Sequence, residues 1–83
     1  MPSNQDITLN VATPNGLFTG IFQKTAKIIE VIRAIITDKN LNAGDDFDLV
    51  HNGATLKPEE RPLVSFGLQG VVMLDLVAVG SGV

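Results

Sequence analysis

Hydrophobic and polar positions alternate most cleanly near the start of the chain. In "DITLNVAT" (residues 6–13), Ile7, Leu9 and Val11 fall on one side of an extended backbone and Thr8, Asn10 and Ala12 on the other. This period-two pattern predicts a strand with one buried face. Pro14-Asn15-Gly16 supplies turn chemistry, because Asn and Gly tolerate positive φ, and "LFTGIF" reads as the returning strand. Its inward face stays open on the sequence alone: Phe18 and Phe22 fit, and so do Leu17 and Ile21. Gly20 weakens this strand and marks the place for a bulge.

The period then changes. Across "TAKIIEVIRAIITDKN" (residues 25–40), Ile28, Ile29, Val31, Ile32, Ile35 and Ile36 project into one arc. With residues about 100° apart, that arc spans roughly 160°. Many of these side chains are β-branched, which lowers helix propensity. Strict alternation fails across the segment, however, and the helical period holds. Thr25 is the expected N-cap, and Asn40 or Asn42 the expected stop. After the loop "NAGDD" comes "FDLVH", with Phe47, Leu49 and His51 opposite Asp48 and Val50. Asn52-Gly53 predicts a tight turn with a short return at Thr55-Leu56. "KPEERP" is expected to hold a short helical turn limited by Pro62, and "LVSFGLQG" a compact connection. In "VVMLDLVAV", Met73, Asp75, Val77 and Val79 share one face and Val72, Leu74, Leu76 and Ala78 the other. The charge on Asp75 assigns Leu74 and Leu76 to the interior.

This order predicts an α+β domain, a mixed sheet of four to five strands with one helix packed across it, since the helical stripe must be buried against something. The expected layout is a flexible segment over residues 1–5, the domain over 6–79 and a flexible tail over 80–83. Composition agrees: 83 residues make one domain, and 45% hydrophobic content, mostly Ile, Leu and Val, is dense enough for a small core. No apolar run approaches the roughly 18–20 residues of a membrane span. "MPSNQD" lacks the basic and apolar regions of a signal peptide. With no cysteine, the chain has no thiol nucleophile, thiolate metal site or disulfide, which favours a cytoplasmic location. The formal charge of −3 and six scattered basic residues argue against a nucleic-acid partner.

The order of elements resembles the β-grasp fold of ubiquitin-like proteins, over about residues 6–82. The local match lies in "LVHNGATL" and then "LVSFGLQGVVMLDLV", where Leu63, Ser65, Phe66, Gly67 and Leu68 trace the connection into the last strand. Ile28, Val31 and Ile35 look like the helix anchors of the family. The "F-G-L-x-G-V" approach and the Gly-rich exit of the last strand resemble bacterial, operon-encoded ubiquitin-like modifiers. In such modifiers a terminal glycine carboxylate is adenylated by an activating enzyme, passed on as an ester or thioester, and joined to an amine of a target. The resemblance thus implies an activating enzyme, a conjugating enzyme, a processing peptidase and a target protein as partners. It assigns Gly80, Ser81 and Gly82 as the conjugation terminus, because residues without bulk at Cβ thread a narrow channel. Val83 would be the removed extension. The tail departs from the family in lacking a Gly-Gly pair and basic residues. Two further readings share the fold: a non-conjugated interaction or scaffold subunit, and a sulfur carrier with a terminal thiocarboxylate.

Val50 matches the family position of an exposed aliphatic partner-binding patch, with Val77 near it and His51 adjacent in sequence. Ile29 and Ile36, at the margins of the wide helical arc, are candidates for self-association. Conventional active-site chemistry finds little support. His51 is the only histidine, Asp45, Asp46 and Asp48 do not match a calcium loop, and none of Ser3, Ser65 and Ser81 has a histidine at a suggestive spacing. Phosphate-loop and dinucleotide fingerprints are absent from the sequence. The expectation is a protein that is not an enzyme, uses no cofactor or metal, and serves as the substrate of enzymes.

Overall fold

The computed structural model describes residues 6–42 and 44–79. Five strands, β1 (Asp6–Thr13), β2 (Gly16–Gln23), β3 (Asp46–His51), β4 (Ala54–Thr55) and β5 (Val71–Val79), form one mixed sheet in the order β2-β1-β5-β3-β4. The helix α1 (Ile28–Asp38) follows the first hairpin, and a single 3-10 turn (Leu63–Phe66) precedes β5. β5 lies at the centre, parallel to β1 and antiparallel to β3.

The alternation of β1 is realised directly. Ile7, Leu9 and Val11 are buried, while their neighbours face outward. β2 resolves the choice its sequence left open. Its register with β1 sets Phe18 opposite Val11 and Phe22 opposite Ile7, so the phenylalanines face the interior and Leu17 and Ile21 the solvent. The pairing runs from Asp6–Gln23 to Thr13–Gly16 without a break, so Gly20 marks no bulge. It makes room instead: a Cβ there would lie 2.9 Å from the Phe18 ring and 3.1 Å from that of Phe22. The two rings meet across it at a tilted 37°, centroids 6.2 Å apart.

From α1 the sheet receives Ile28, Val31 and Ile35, all fully buried, together with Ile32. Each such aliphatic burial contributes roughly 1.5–3 kcal/mol. They pack in one cluster with Leu49, Leu56, Leu63, Leu68, Leu74 and Leu76. The helix begins later than its sequence suggests, with Lys27 rather than Thr25 at the N-cap. The reason is non-local. Ala26 N–H closes a turn onto Gln23 O, Leu63 and Val64 donate their N–H groups to the carbonyls of Ala26 and Lys24, and Ile28 donates to that of Arg61, which commits residues 24–27 to a turn and a bridge rather than to the helix. Asn40 ends the helix as expected, in the left-handed region at φ 55°. Leu41 N–H bonds to Ile36 O and Asn40 N–H to Thr37 O, the paired pattern of a Schellman stop.

Asn52 and Gly53, with φ of 53° and 82°, form the tight turn between β3 and β4, since a two-residue hairpin loop of this kind needs positive φ at both central residues. The helical turn expected within "KPEERP" is absent. Arg61 N–H closes a simple turn onto Pro58 O, and the 3-10 turn forms one step later, inside the stretch read as a plain connection. There Ser65 Oγ donates to Pro62 O at 2.7 Å, and Gly67 closes the turn at φ 75°.

Candidate functional site

The face of the sheet away from α1 is built by the outward residues of each strand, and β5 sets its geometry. Because β5 alternates strictly, burying Leu74 and Leu76 forces Met73, Asp75, Val77 and Val79 outward. On β3 the same logic buries Phe47 and Leu49 and turns Asp48 and Val50 toward this face. The antiparallel register sets Val50 opposite Asp75 and Asp48 opposite Val77. Val50 and Val77 are therefore diagonal neighbours, a separation of roughly 7–8 Å that aliphatic side chains can bridge. Val50 is half-buried and Val77 is 42% exposed. The two valines alternate with two aspartates in a checkerboard. One aspartate is partly neutralised: Lys57 Nζ lies 3.4 Å from Asp48 Oδ1.

His51 does not join this pair. It follows Val50 on β3 and falls on the other side of the strand, half-buried at its end. Ile29 and Ile36 are neither core nor open surface. Both are half-buried and line an open groove with Phe47, Pro58 and Val79, and the chain after β4 covers this end through a bond from Ile29 N–H to Glu59 O. Ser65 is engaged by the 3-10 turn. Ser3 and the terminal Gly80, Ser81, Gly82 and Val83 lie outside the described residues.

What the structure does describe is the platform from which that tail departs. Pairing of β5 with β1 ends at Ala12–Asp75, whereas pairing with β3 continues to Asp46–Val79. The last four residues of β5 thus extend past β1, held by β3 alone. They reach the end of the sheet that carries the Pro14-Asn15 turn and the start of β3, with the C-terminus of α1 tied there by Asn15 Nδ2 donating to Lys39 O at 3.0 Å.

No protein-family model matches the chain, and no curated protein matches it. Solved structures do. A de novo designed protein based on ubiquitin superposes with a TM-score of 0.80 at 17% identity, covering 96% of each chain. The ubiquitin of Caldiarchaeum subterraneum gives 0.76 at 17% identity over 94% of this chain and 99% of its own. A ubiquitin-like domain of an Arabidopsis thaliana protein gives 0.76 at 19% identity over 89% of this chain and 78% of that one. The chain has the ubiquitin-like β-grasp fold. At these identities the likeness is one of fold, and within this fold the Val50–Val77 face and the exit of β5 are adjacent features of one strand pair.

Another feature of the ubiquitin-like sheet went unrecognised in the sequence. Among the described residues, β2 forms the long edge of the sheet, and from Gly16 to Gln23 it carries no charged residue. The signal was present as an eight-residue run without Asp, Glu, Lys, Arg or Pro.

Proposed function

We propose that this protein is a ubiquitin-like modifier of the kind encoded beside bacterial activating and conjugating enzymes. In this reading a peptidase first removes Val83, and an adenylating enzyme then activates the freed carboxylate of Gly82. A conjugating enzyme receives the activated chain and joins it to an amine of a target. The protein itself is the substrate of these steps and acts in the cytoplasm.

One observation carries the reading: the ubiquitin-like sheet delivers its central strand past β1 directly into the sequence Gly80-Ser81-Gly82. Adenylation needs a free carboxylate and a backbone that passes through a narrow channel, which glycine permits. Val83 occupies that carboxylate as an amide, and its side chain is stiff and bulky at Cβ. The Val50–Val77 checkerboard is the docking face for the activating enzyme. Its two aspartates call for a partner surface that offers basic groups beside apolar ones.

The test is mass spectrometry of the protein purified from cells that hold its neighbouring genes, followed by reaction with the cognate activating enzyme and ATP. Loss of one valine and a covalent adduct abolished by Gly82→Glu are expected. An adduct formed by chain that still ends in Val83, or by Gly82→Glu, overturns the reading.

A further inference from the structure

Among the described residues, β2 pairs with β1 alone and leaves its other side as an edge of the sheet. Thr8 donates its N–H to Gly70 O at 2.8 Å, so Thr8, Asn10 and Ala12 of β1 direct their main-chain groups toward β5. Ile7, Leu9, Val11 and Thr13 direct theirs toward β2. In an antiparallel ladder these four exchange both bonds with the residues opposite, which are Phe22, Gly20, Phe18 and Gly16. Leu17, Thr19 and Ile21 are left aiming their N–H and C=O groups away from the sheet.

Natural sheets blunt such an edge with charge, proline, a bulge or brevity. The opposite edge, β4, is two residues long, with Lys57 two residues beyond its end. β2 uses none of these devices. It is eight residues long, uncharged, free of proline, and paired to β1 without a bulge. On its outward face Leu17, 56% exposed, and Ile21, 69% exposed, flank Thr19, whose hydroxyl donates to Asn10 Oδ1 at 2.8 Å.

We propose that a second copy of this chain pairs with β2 across a two-fold axis at Thr19, making one continuous sheet from two molecules. Leu17 and Ile21 lie symmetrically about Thr19, so antiparallel self-pairing sets Leu17 of each copy opposite Ile21 of the other and Thr19 opposite Thr19. All three residues present their free main-chain groups in that register, and the exposed aliphatic pairs cover one another on the outer face. Charge decides for a second copy as the occupant. A two-fold axis brings any charge near it against its own image, and the strand carries none. The seam is narrow, which places the pair among weak, reversible associations. β2 is separated from the exit of β5 by β1, so self-pairing and conjugation use different surfaces, and either reading stands if the other fails.

The experiment is sedimentation of the purified full chain over a wide concentration range, with cysteine crosslinking to fix the register. Wild type is expected to move reversibly toward twice its monomer mass, and Thr19→Lys to remain monomeric with unchanged circular dichroism. The chain has no cysteine, so Thr19→Cys reports the axis alone. Paired Cα atoms there would lie about 5.5 Å apart, within disulfide reach, whereas two copies of Leu17→Cys would be too distant. Disulfide dimer from Thr19→Cys and little from Leu17→Cys is the expected result. Wild type that stays monomeric throughout, or equal crosslinking of the two variants, overturns the proposal. A strand from another protein as the true occupant would give the first of those outcomes.

Discussion

A missing Cβ shapes the inner face of β2. Gly20 lies between Phe18 and Phe22 on that face, and their rings close over it. Gly20→Ala is expected to force these rings apart at a cost of about 1–3 kcal/mol, the range for overpacking a core. This outweighs the few tenths to about 1 kcal/mol that alanine gains by stiffening the unfolded chain. Urea unfolding checks the sign, and a stabilised Gly20→Ala would show that the rings move aside freely. Leu68, 4% exposed, makes the complementary case. Leu68→Ala is expected to cost about 2–5 kcal/mol, against a small change for Thr8→Ala on the outer face, read from thermal melts of the two variants. The place of Leu68 in the core followed from the resemblance of residues 63–68 to the ubiquitin-like approach to the last strand. The role of Gly20 did not, because nothing local told the two alternating sets of β2 apart. Only the register with β1, which sets Phe18 opposite Val11, made that choice.

At the scale of elements, the strands and the end of the helix were legible from local pattern, whereas the short turn moved from the expected "KPEERP" to Leu63–Phe66 and the helix start was set by a distant partner. β1, β3 and β5 each carry a single unambiguous alternation, and Asn40 ends α1 through its own tolerance of positive φ. The start of α1 is different. Thr25 has the right chemistry for an N-cap, but residues 24–27 are claimed by the segment around Pro62, with an antiparallel bridge between Lys27 and Pro62. The first turn is served instead from within, by Glu30 Oε1 accepting the Lys27 N–H at 2.8 Å, half of a capping box. Glu30→Ala should therefore lose about 0.5–1 kcal/mol and Glu30→Gln less, since an amide oxygen can accept the same bond. Thr25→Ala should change almost nothing. Chemical denaturation of the three variants checks this order, and a larger loss at Thr25 would return the cap to the position its sequence suggests.

For the whole molecule, the sheet divides labour between its faces, and β5 carries both parts on alternate residues. Leu76 is buried against the core, and its neighbour Val77 stands on the outer face beside Val50. The outward face of Val77 was legible in the alternation of β5, and its nearness to Val50 was what the resemblance to the ubiquitin-like fold implied. The interleaving with Asp48 and Asp75 was not legible, because it depends on how β3 and β5 align. The proposed docking of an activating enzyme on this face therefore makes a prediction in which stability and function separate within two adjacent residues. Leu76→Ala should cost about 2–5 kcal/mol yet, wherever it remains folded, leave adenylation unchanged. Val77→Ala should lose less than about 1 kcal/mol, the span of strand propensity. Its kcat/KM for adenylation should fall about tenfold, the loss of roughly 1.4 kcal/mol of binding. Melting temperature and ATP-dependent adduct formation, measured on both proteins below their transitions, give four values with a fixed expected pattern. Adenylation that tracks stability across both variants would mean that the enzyme senses only whether the chain is folded, and the outer face would lose its assigned role.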